Sequence, residues 1–174
     1  MQDDLEDAVQ WAAREKLVDA RRVCLMGGSY GGYAALMGPI RHPATWRCAV
    51  SFAGVTDIEL MFSIYWSDVG EQAKQVGLPV LVGDPEKDAA RLQATSPLRR
   101  VAEIKVPVLL AHGALDQRVP IDHARKFASA ARAAGVPIET VIYDDEGHGW
   151  VKPEDLTDFL TRLEKFLARA TAAR

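Results

Sequence analysis

The chain has 174 residues, of which 48% are hydrophobic and 26% are charged, and its formal net charge is −3. This length and composition are typical of one globular domain with a core large enough to be stable on its own. The slightly acidic balance, with no stripe of basic residues, argues against nucleic-acid binding, and no apolar stretch is long enough to cross a membrane.

Amphipathic and continuously apolar segments alternate along the chain. Residues 3–17 predict a helix, because Leu5, Val9 and Ala12 fall on one face and acidic residues fill the first turn. The segments that follow it predict, in chain order, a strand over 22–27, a helix over 30–42, a strand over 47–54, a strand over 106–113, a helix over 120–135, a strand over 138–145 and a helix over 153–170. The stretch between the second and third strands is less regular and predicts short helices and loops.

Continuously apolar strands that alternate with helices favour an α/β domain. We therefore predict a mainly parallel sheet with helices on both faces, in a single domain over residues 1–174. In open sheets of this kind, ligands bind beyond the carboxyl ends of the strands. The side chains that follow the predicted strands are the first candidates for a functional site.

Each predicted strand is followed by a side chain that can take part in acyl transfer. Ser29 follows the first strand and Asp57 the second, while Asp116 and His148 follow the third and fourth. A hydroxyl, a carboxylate and an imidazole at neighbouring strand ends are the parts of a nucleophilic triad.

The segment "MGGSYGG" at residues 26–32 places Ser29 between a strand and a helix in a G-x-S-x-G pattern. A nucleophile elbow needs small neighbours, because the serine sits on a tight, strained turn. The backbone N–H of Tyr30, at the start of the following helix, would face a developing oxyanion. The alternatives are a flexible turn without catalytic role and a phosphate-binding loop, although the lysine of a P-loop is missing.

His148 lies between glycines after the last strand, and we predict that it is the general base. Of the other histidines, we expect His42 to cap a helix, His123 to lie on an exposed helix face and His112 to pack behind the site. Asp116 is the predicted acid that orients the imidazole, with Asp57 as the alternative.

Cys24 and Cys48 both lie in apolar, strand-like segments. We interpret them as buried free thiols in a reducing compartment rather than as a disulfide, and we expect a cytoplasmic protein. The spacing of the cysteines does not indicate a metal site, and we expect no cofactor.

The segments "MGGSYGGY", "SPLRRVAEIKVPVLLAHGALDQRVP" and "EGHGW" resemble the C-terminal catalytic region of the prolyl oligopeptidase family, in its acylaminoacyl-peptidase and dipeptidyl-peptidase branch. The D-x-x-V-P pattern from Asp116 to Pro120 is more specific than the serine motif. The resemblance covers nearly the whole chain and implies an α/β-hydrolase fold. It also implies Ser29, Asp116 and His148 as the triad, with Tyr30 donating one oxyanion hydrogen bond.

The sequence also departs from that family, because we find neither the β-propeller nor the first half of the hydrolase domain. The fold is therefore expected to be a truncated α/β-hydrolase. Removing one oxyanion donor typically costs about 10²–10³ in rate, and the loop that supplies the second donor belongs to the absent half. Without earlier strands the segment "RVCLM" would form an unprotected sheet edge. We expect that edge to pair in a homodimer or with a missing N-terminal hydrolase segment.

The leading interpretation is a serine hydrolase that forms an acyl-enzyme on Ser29, measurable as carboxylesterase activity on small esters, with peptide hydrolysis as a further expectation. The alternative is a catalytically weak hydrolase fragment that mainly self-associates through its exposed edge. Four apolar side chains either line the substrate pocket or belong to the core. They are Met61, Phe62, Tyr65 and Trp66.

Overall fold

Four parallel strands form the sheet of the computed structural model, which describes residues 2–172. In chain order, which is also their order in the sheet, they are β1 (Cys24–Gly28), β2 (Cys48–Phe52), β3 (Val108–Gly113) and β4 (Ile138–Tyr143). Gly28 pairs with Phe52, and Phe52 pairs with Ala111. This register brings the carboxyl ends of the first three strands to one edge, so the predicted parallel sheet is confirmed. The predicted single domain over 1–174 includes Met1 and residues 173–174, which lie outside the described residues.

Helices cover both faces of this sheet, as the sequence predicts. The α-helices are α1 (Gln2–Arg14), α2 (Tyr30–Arg41), α3 (Ile58–Ser63), α4 (Leu78–Leu81), α5 (Ala89–Ala94), α6 (Asp122–Ala133) and α7 (Pro153–Ala170). Further helical turns span Ala20–Arg22, Ala73–Gly77 and Pro97–Glu103. None of the helices in the described part of the chain combines the length and apolar character that a membrane span requires.

Alternate side chains of β3 divide the core into two layers. Val108 and Leu110 pack with residues of α2 and α6, including Phe127. Leu109 and Ala111 point the other way and pack with α7. This alternation is what a strand buried on both faces requires, and it places His112 on the same side of the sheet as α6.

Cys24 and Cys48 form a disulfide, so the interpretation as free thiols is wrong. The two residues are direct partners in the register of β1 and β2, with their Cα atoms 4.7 Å apart. That separation lies within the range that a disulfide can bridge. Disulfides are rare in reducing compartments. The cytoplasmic location therefore loses the argument from free thiols, and it stays a prediction.

The region between β2 and β3 holds the four apolar side chains for which the sequence predicts a place in the pocket or in the core. None of them belongs to the two core clusters of the described residues. Tyr65 is 87% exposed and Trp66 39% exposed, while Met61 and Phe62 are partly buried. Phe62 lines an open surface hollow together with Lys74 and Pro85. The core interpretation is therefore wrong, and a role for these side chains in substrate binding stays a prediction.

Candidate active site

Ser29 occupies the turn between β1 and α2 with φ 56° and ψ −118°. A positive φ is costly for any residue other than glycine, and it is found where the surrounding structure enforces it. The Ser29 N–H donates to the carbonyl of Phe52 across the sheet, at 2.9 Å. The serine is therefore held in a defined turn, and the interpretation as a flexible turn is excluded.

The hydroxyl of Ser29 does not serve the helix that it precedes. Ser29 is the N-cap residue of α2, and a serine there normally accepts a hydrogen bond from the first turn. Here its side chain makes no capping hydrogen bond. Its Oγ lies 2.9 Å from His148 Nε2 instead. The side chain is directed into the site at the expense of a helix cap.

Gly27 shows why this turn needs glycine. A Cβ on Gly27 would lie 2.4 Å from the backbone C and O atoms of Gly31. Backbone atoms cannot move aside as the end of a flexible side chain can. The close approach of β1 and the first turn of α2 therefore depends on the absence of a side chain at Gly27.

Asp116 and His148 continue the series of hydrogen bonds that begins at Ser29. His148 Nδ1 lies 2.8 Å from Asp116 Oδ2. Asp116 is fully buried, and its Oδ1 accepts the backbone N–H groups of Arg118 at 2.9 Å and Val119 at 2.8 Å. Three residues that are distant in the sequence thus form an unbroken series of hydroxyl, imidazole and carboxylate.

The electrostatics of Asp116 favour the ionised carboxylate. Burial by itself would raise the pKa of Asp116, but the side chain of His112, the N–H of Val119 and the contact with His148 outweigh burial and hold the pKa below its ordinary value. Asp116 therefore carries a negative charge beside His148, where it can stabilise an imidazolium.

The loop that carries His148 is closed by Glu146, a residue that the sequence reading missed. Glu146 is fully buried, and its carboxylate accepts the N–H groups of Val151, at 2.9 and 3.0 Å, and Lys152, at 2.7 Å. Its own carbonyl accepts the N–H of Leu115, next to Asp116, at 2.9 Å. Glu146 thereby links the two loops that carry His148 and Asp116.

The structure separates Asp57 from the imidazole. Asp57 accepts a hydrogen bond from the N–H of Glu59 at the start of α3, and it pairs with Arg99 at 2.7 Å. A carboxylate that caps a helix and binds an arginine is already committed to structure. The structure therefore joins Asp116, not Asp57, to His148.

The other histidines are partly as predicted. His42 is the C-cap of α2, as expected. His123 is fully buried rather than exposed, so that prediction is wrong. Its Nδ1 accepts the N–H of Thr56 at 3.1 Å, and burial, aided by nearby His112, lowers its pKa to about 3. His112 is also fully buried and packs behind Asp116.

Tyr30 is the first residue of α2, which has 12 residues. The first N–H groups of a helix point out of its positive end, and Tyr30 directly follows Ser29. This is the position that an N–H donor to an oxyanion would occupy. The residues that the structure describes include no group of three or more His, Cys, Asp or Glu side chains arranged to hold a metal ion.

The model of the prolyl oligopeptidase family matches residues 1–174 of the chain. Dipeptidyl aminopeptidase BIII of Pseudoxanthomonas mexicana is 38% identical over 179 residues, covering 100% of this chain and 25% of that protein. The acylamino-acid-releasing enzyme of Mus musculus is 30% identical over 159 residues, covering 89% of this chain and 21% of that protein. The chain thus spans about a quarter or less of the length of these relatives.

A solved structure of similar fold is the acylaminoacyl peptidase of Pyrococcus horikoshii, with a TM-score of 0.86 and 20% identity, covering 99% of this chain and 28% of that one. The fold is therefore that of the α/β-hydrolase peptidases. The family match over the whole length agrees with the resemblance of the serine, aspartate and histidine segments. The chain belongs to the prolyl oligopeptidase family, a family of serine hydrolases.

Proposed function

We propose that the chain hydrolyses esters or peptides through an acyl-enzyme on Ser29. His148 accepts the hydroxyl proton at Nε2 while Ser29 Oγ bonds to the substrate carbonyl carbon, and it then gives the proton to the leaving group. Water attacks the acyl-enzyme in the same way and releases the acid. Asp116 accepts the Nδ1 hydrogen of His148 and stabilises its charged form, while the N–H of Tyr30 faces the oxyanion.

One observation carries this proposal. Ser29 Oγ and Asp116 Oδ2 each lie within hydrogen-bond distance of a different ring nitrogen of His148, at 2.9 and 2.8 Å. That arrangement selects the tautomer with hydrogen on Nδ1 and a lone pair on Nε2, which is the form that a general base needs. The strained turn of Ser29 and its missing helix cap are in keeping with a side chain kept for chemistry.

Small activated esters are the substrates that we expect to be measurable first. The leaving group of an ester is an alcohol or phenol, which needs less protonation than the amine that leaves from a peptide. Ester hydrolysis therefore tolerates an incomplete oxyanion site. The named activities of the relatives, dipeptidyl aminopeptidase and acylamino-acid release, suggest short peptides as the second class.

Hydrolysis of a short-chain p-nitrophenyl ester tests the proposal. Wild-type chain should release p-nitrophenol, and Ser29→Ala should reduce the rate to that of buffer. Ser67→Ala serves as the matched control, because the Ser67 hydroxyl donates a hydrogen bond to the carbonyl of Ile64 and not to His148. Equal rates for wild type and Ser29→Ala would overturn the proposal.

Self-association is the second candidate function, and the edge of the sheet favours it. Strand β1 pairs only with β2 in the described sheet, so its other side offers unpaired backbone groups. Met26 on this strand is 50% exposed. Val18 and Cys24 line an open hollow near the start of the strand. We propose that this edge pairs with a second copy of the chain.

Sedimentation velocity measures this association directly. Wild type should sediment as a dimer at micromolar concentration, and Met26→Lys should sediment as a monomer, since a charge on an edge strand opposes pairing. Leu81→Lys is the control, because Leu81 is 83% exposed on α4, a separate element. A monomeric wild type, or a dimer that Met26→Lys leaves intact, would exclude association through β1.

A further inference from the structure

His112 lies one residue before the end of β3, beside the carboxylate of Asp116. It is fully buried, and the mechanism proposed above assigns it no role. Its Nε2 lies 2.7 Å from the carbonyl oxygen of Val119. A carbonyl only accepts hydrogen bonds, so Nε2 carries a hydrogen. The same nitrogen lies 3.4 Å from Asp116 Oδ2, the oxygen that faces His148.

Val119 is held from both sides of its peptide backbone. Its N–H donates to Asp116 Oδ1 at 2.8 Å, and its carbonyl accepts from His112. The carboxylate of Asp116 is therefore fixed at one oxygen by this turn and approached at the other by the His112 ring. A turn that is held at both its N–H and its carbonyl has little freedom to rotate.

His123, on α6, is the second buried imidazole in this region. Its Nδ1 accepts the N–H of Thr56, so in the neutral ring the hydrogen is on Nε2. That nitrogen and His112 Nδ1 are buried and have no hydrogen-bond partner among the described residues. Burial lowers the pKa of His123, and the neighbouring His112 adds to this effect.

We propose that His112 is a positioning residue, which acts through Asp116: its Nε2 hydrogen, bonded to the Val119 carbonyl and close to Oδ2, fixes the turn of residues 116–119 and so aims the carboxylate at His148. This inference rests on the proposed serine hydrolase function. It explains why a polar side chain is placed at a fully buried position of the central sheet, where an aliphatic residue would cost less to bury.

Two substitutions of similar size separate positioning from packing. In His112→Gln the side-chain amide can reach the place of Nε2 and donate to Val119, whereas in His112→Asn the amide reaches only the place of Nδ1. We expect His112→Asn to lower kcat for the ester by about 10²-fold, the scale of a displaced catalytic group, with KM nearly unchanged. His112→Gln should recover most of that loss. Equal losses in the two variants would overturn the proposal.

The same change in an Asp116→Asn background tests whether His112 acts through Asp116. Once the carboxylate is gone, its position no longer matters, so adding His112→Asn should cost little more. An equal fold loss in both backgrounds would show that His112 acts elsewhere and would overturn the proposal.

Proton NMR supplies a readout that does not depend on turnover. The hydrogen between His148 Nδ1 and Asp116 should give a low-field resonance in the wild type and in His112→Gln, and this resonance should be lost or broadened in His112→Asn. If the wild type shows the resonance but hydrolyses no ester, the proposed function fails. The resonances of the two His112 variants then still test whether His112 positions Asp116. Persistence of the resonance in His112→Asn would overturn the proposal.

Discussion

Asp116 and Asp57 differ in what their oxygens bind, and that difference decides which of them can act on the imidazole. Asp116 contacts His148, while Asp57 caps α3 and pairs with Arg99. We expect Asp116→Asn to lower ester turnover by about 10⁴-fold, because an amide cannot support the required tautomer of His148. Steady-state kinetics on the purified variant measures this loss.

Asp57→Asn is the matched control for this substitution. It makes the same chemical change at another buried position, where the cost should fall on stability through the α3 cap and the Arg99 ion pair. Its kcat should stay close to that of the wild type under conditions where it is folded. If Asp57→Asn lost turnover while Asp116→Asn kept it, the assignment of the acid would be reversed.

His123 makes the stability of the fold depend on pH. Burial lowers its pKa from 6.5 to about 3, so between pH 6.5 and about 3 the unfolded chain binds a proton that the folded chain does not. Stability therefore falls as the pH falls, by up to about 1.4 kcal/mol per pH unit from this one group. His123→Asn keeps an acceptor for the N–H of Thr56 and should remove this part of the slope.

Urea denaturation of the wild type and of His123→Asn, at several pH values from neutral down to the lowest pH at which both are folded, measures how the free energy of unfolding changes with pH. The variant is expected to be less stable at neutral pH, since it loses buried volume, but its free energy of unfolding should fall less steeply as acid is added. Parallel curves for the two chains would show that His123 titrates normally in the folded state.

The residues of the site could be predicted because each of them follows the end of a strand, and the strand ends can be predicted from the sequence. Ser29, Asp116 and His148 each follow an apolar segment, and parallel strands bring their carboxyl ends to one edge. The error at His123 came from treating a histidine as a polar, exposed residue. His123 precedes Phe127 by four positions, which places the two side chains on one face of α6. That signal was present in the sequence and indicated burial.

The loop from β4 to α7 is held by contacts that its sequence does not reveal. Glu146 is one of several acidic residues near His148, and only the fold shows that its carboxylate turns inward to the N–H groups of Val151 and Lys152. Gly113, at the end of β3, packs against the same loop, since a Cβ there would lie 2.3 Å from the carbonyl oxygens of Glu146 and Gly147. The loop is therefore a rigid support for His148.

Glu146→Gln should weaken this support. The new amide nitrogen would face a backbone N–H, and leaving a buried donor without an acceptor costs about 1–3 kcal/mol. We expect kcat for the ester to fall by about 10–10²-fold as His148 loses its alignment, and stopped-time assays at saturating ester would measure this.

Asp145→Asn is the control, with the same loss of charge one residue earlier. Asp145 is exposed and pairs with the Lys152 side chain at 2.6 Å. Such surface pairs contribute little, so this variant should keep its activity. If both variants lost activity equally, net charge in the loop rather than the buried carboxylate would be responsible.

The bounds of helices and strands with strong periodicity could be predicted to within a few residues, but the register in which the strands pair could not. The final helix has the predicted bounds Pro153–Ala170, and the four strands lie within or next to the predicted segments. The disulfide was missed because its formation depends on register. Cys24 and Cys48 occupy two apolar segments of unknown alignment until β1 and β2 are paired. The helices between β2 and β3 are short and have no long apolar face, so hydrophobic periodicity does not predict their bounds.

For the molecule as a whole, the disulfide joins the edge strand β1 to β2 and closes a loop that contains α2. The sequence separation of its cysteines is 24 residues, and closing a loop of that length raises the free energy of the unfolded chain by about 3.5 kcal/mol, because it lowers the entropy of that chain. Reduction, or the double substitution Cys24→Ala with Cys48→Ala, should therefore lower the free energy of unfolding by about that amount. Urea denaturation of the oxidised and reduced chains measures the difference.

The effect on activity should be small as long as the chain remains folded. Strand β1 runs from Cys24 to Gly28, about 13 Å at 3.3 Å per residue, and Ser29 follows it, so the disulfide and the hydroxyl lie at opposite ends of the strand. Ester hydrolysis well below the unfolding transition should then be the same for the oxidised and reduced chains. Thiol titration of the chain unfolded without reductant gives the independent check, because two reactive thiols there would show that Cys24 and Cys48 are not bonded and that the edge strand is held by its hydrogen bonds and packing alone.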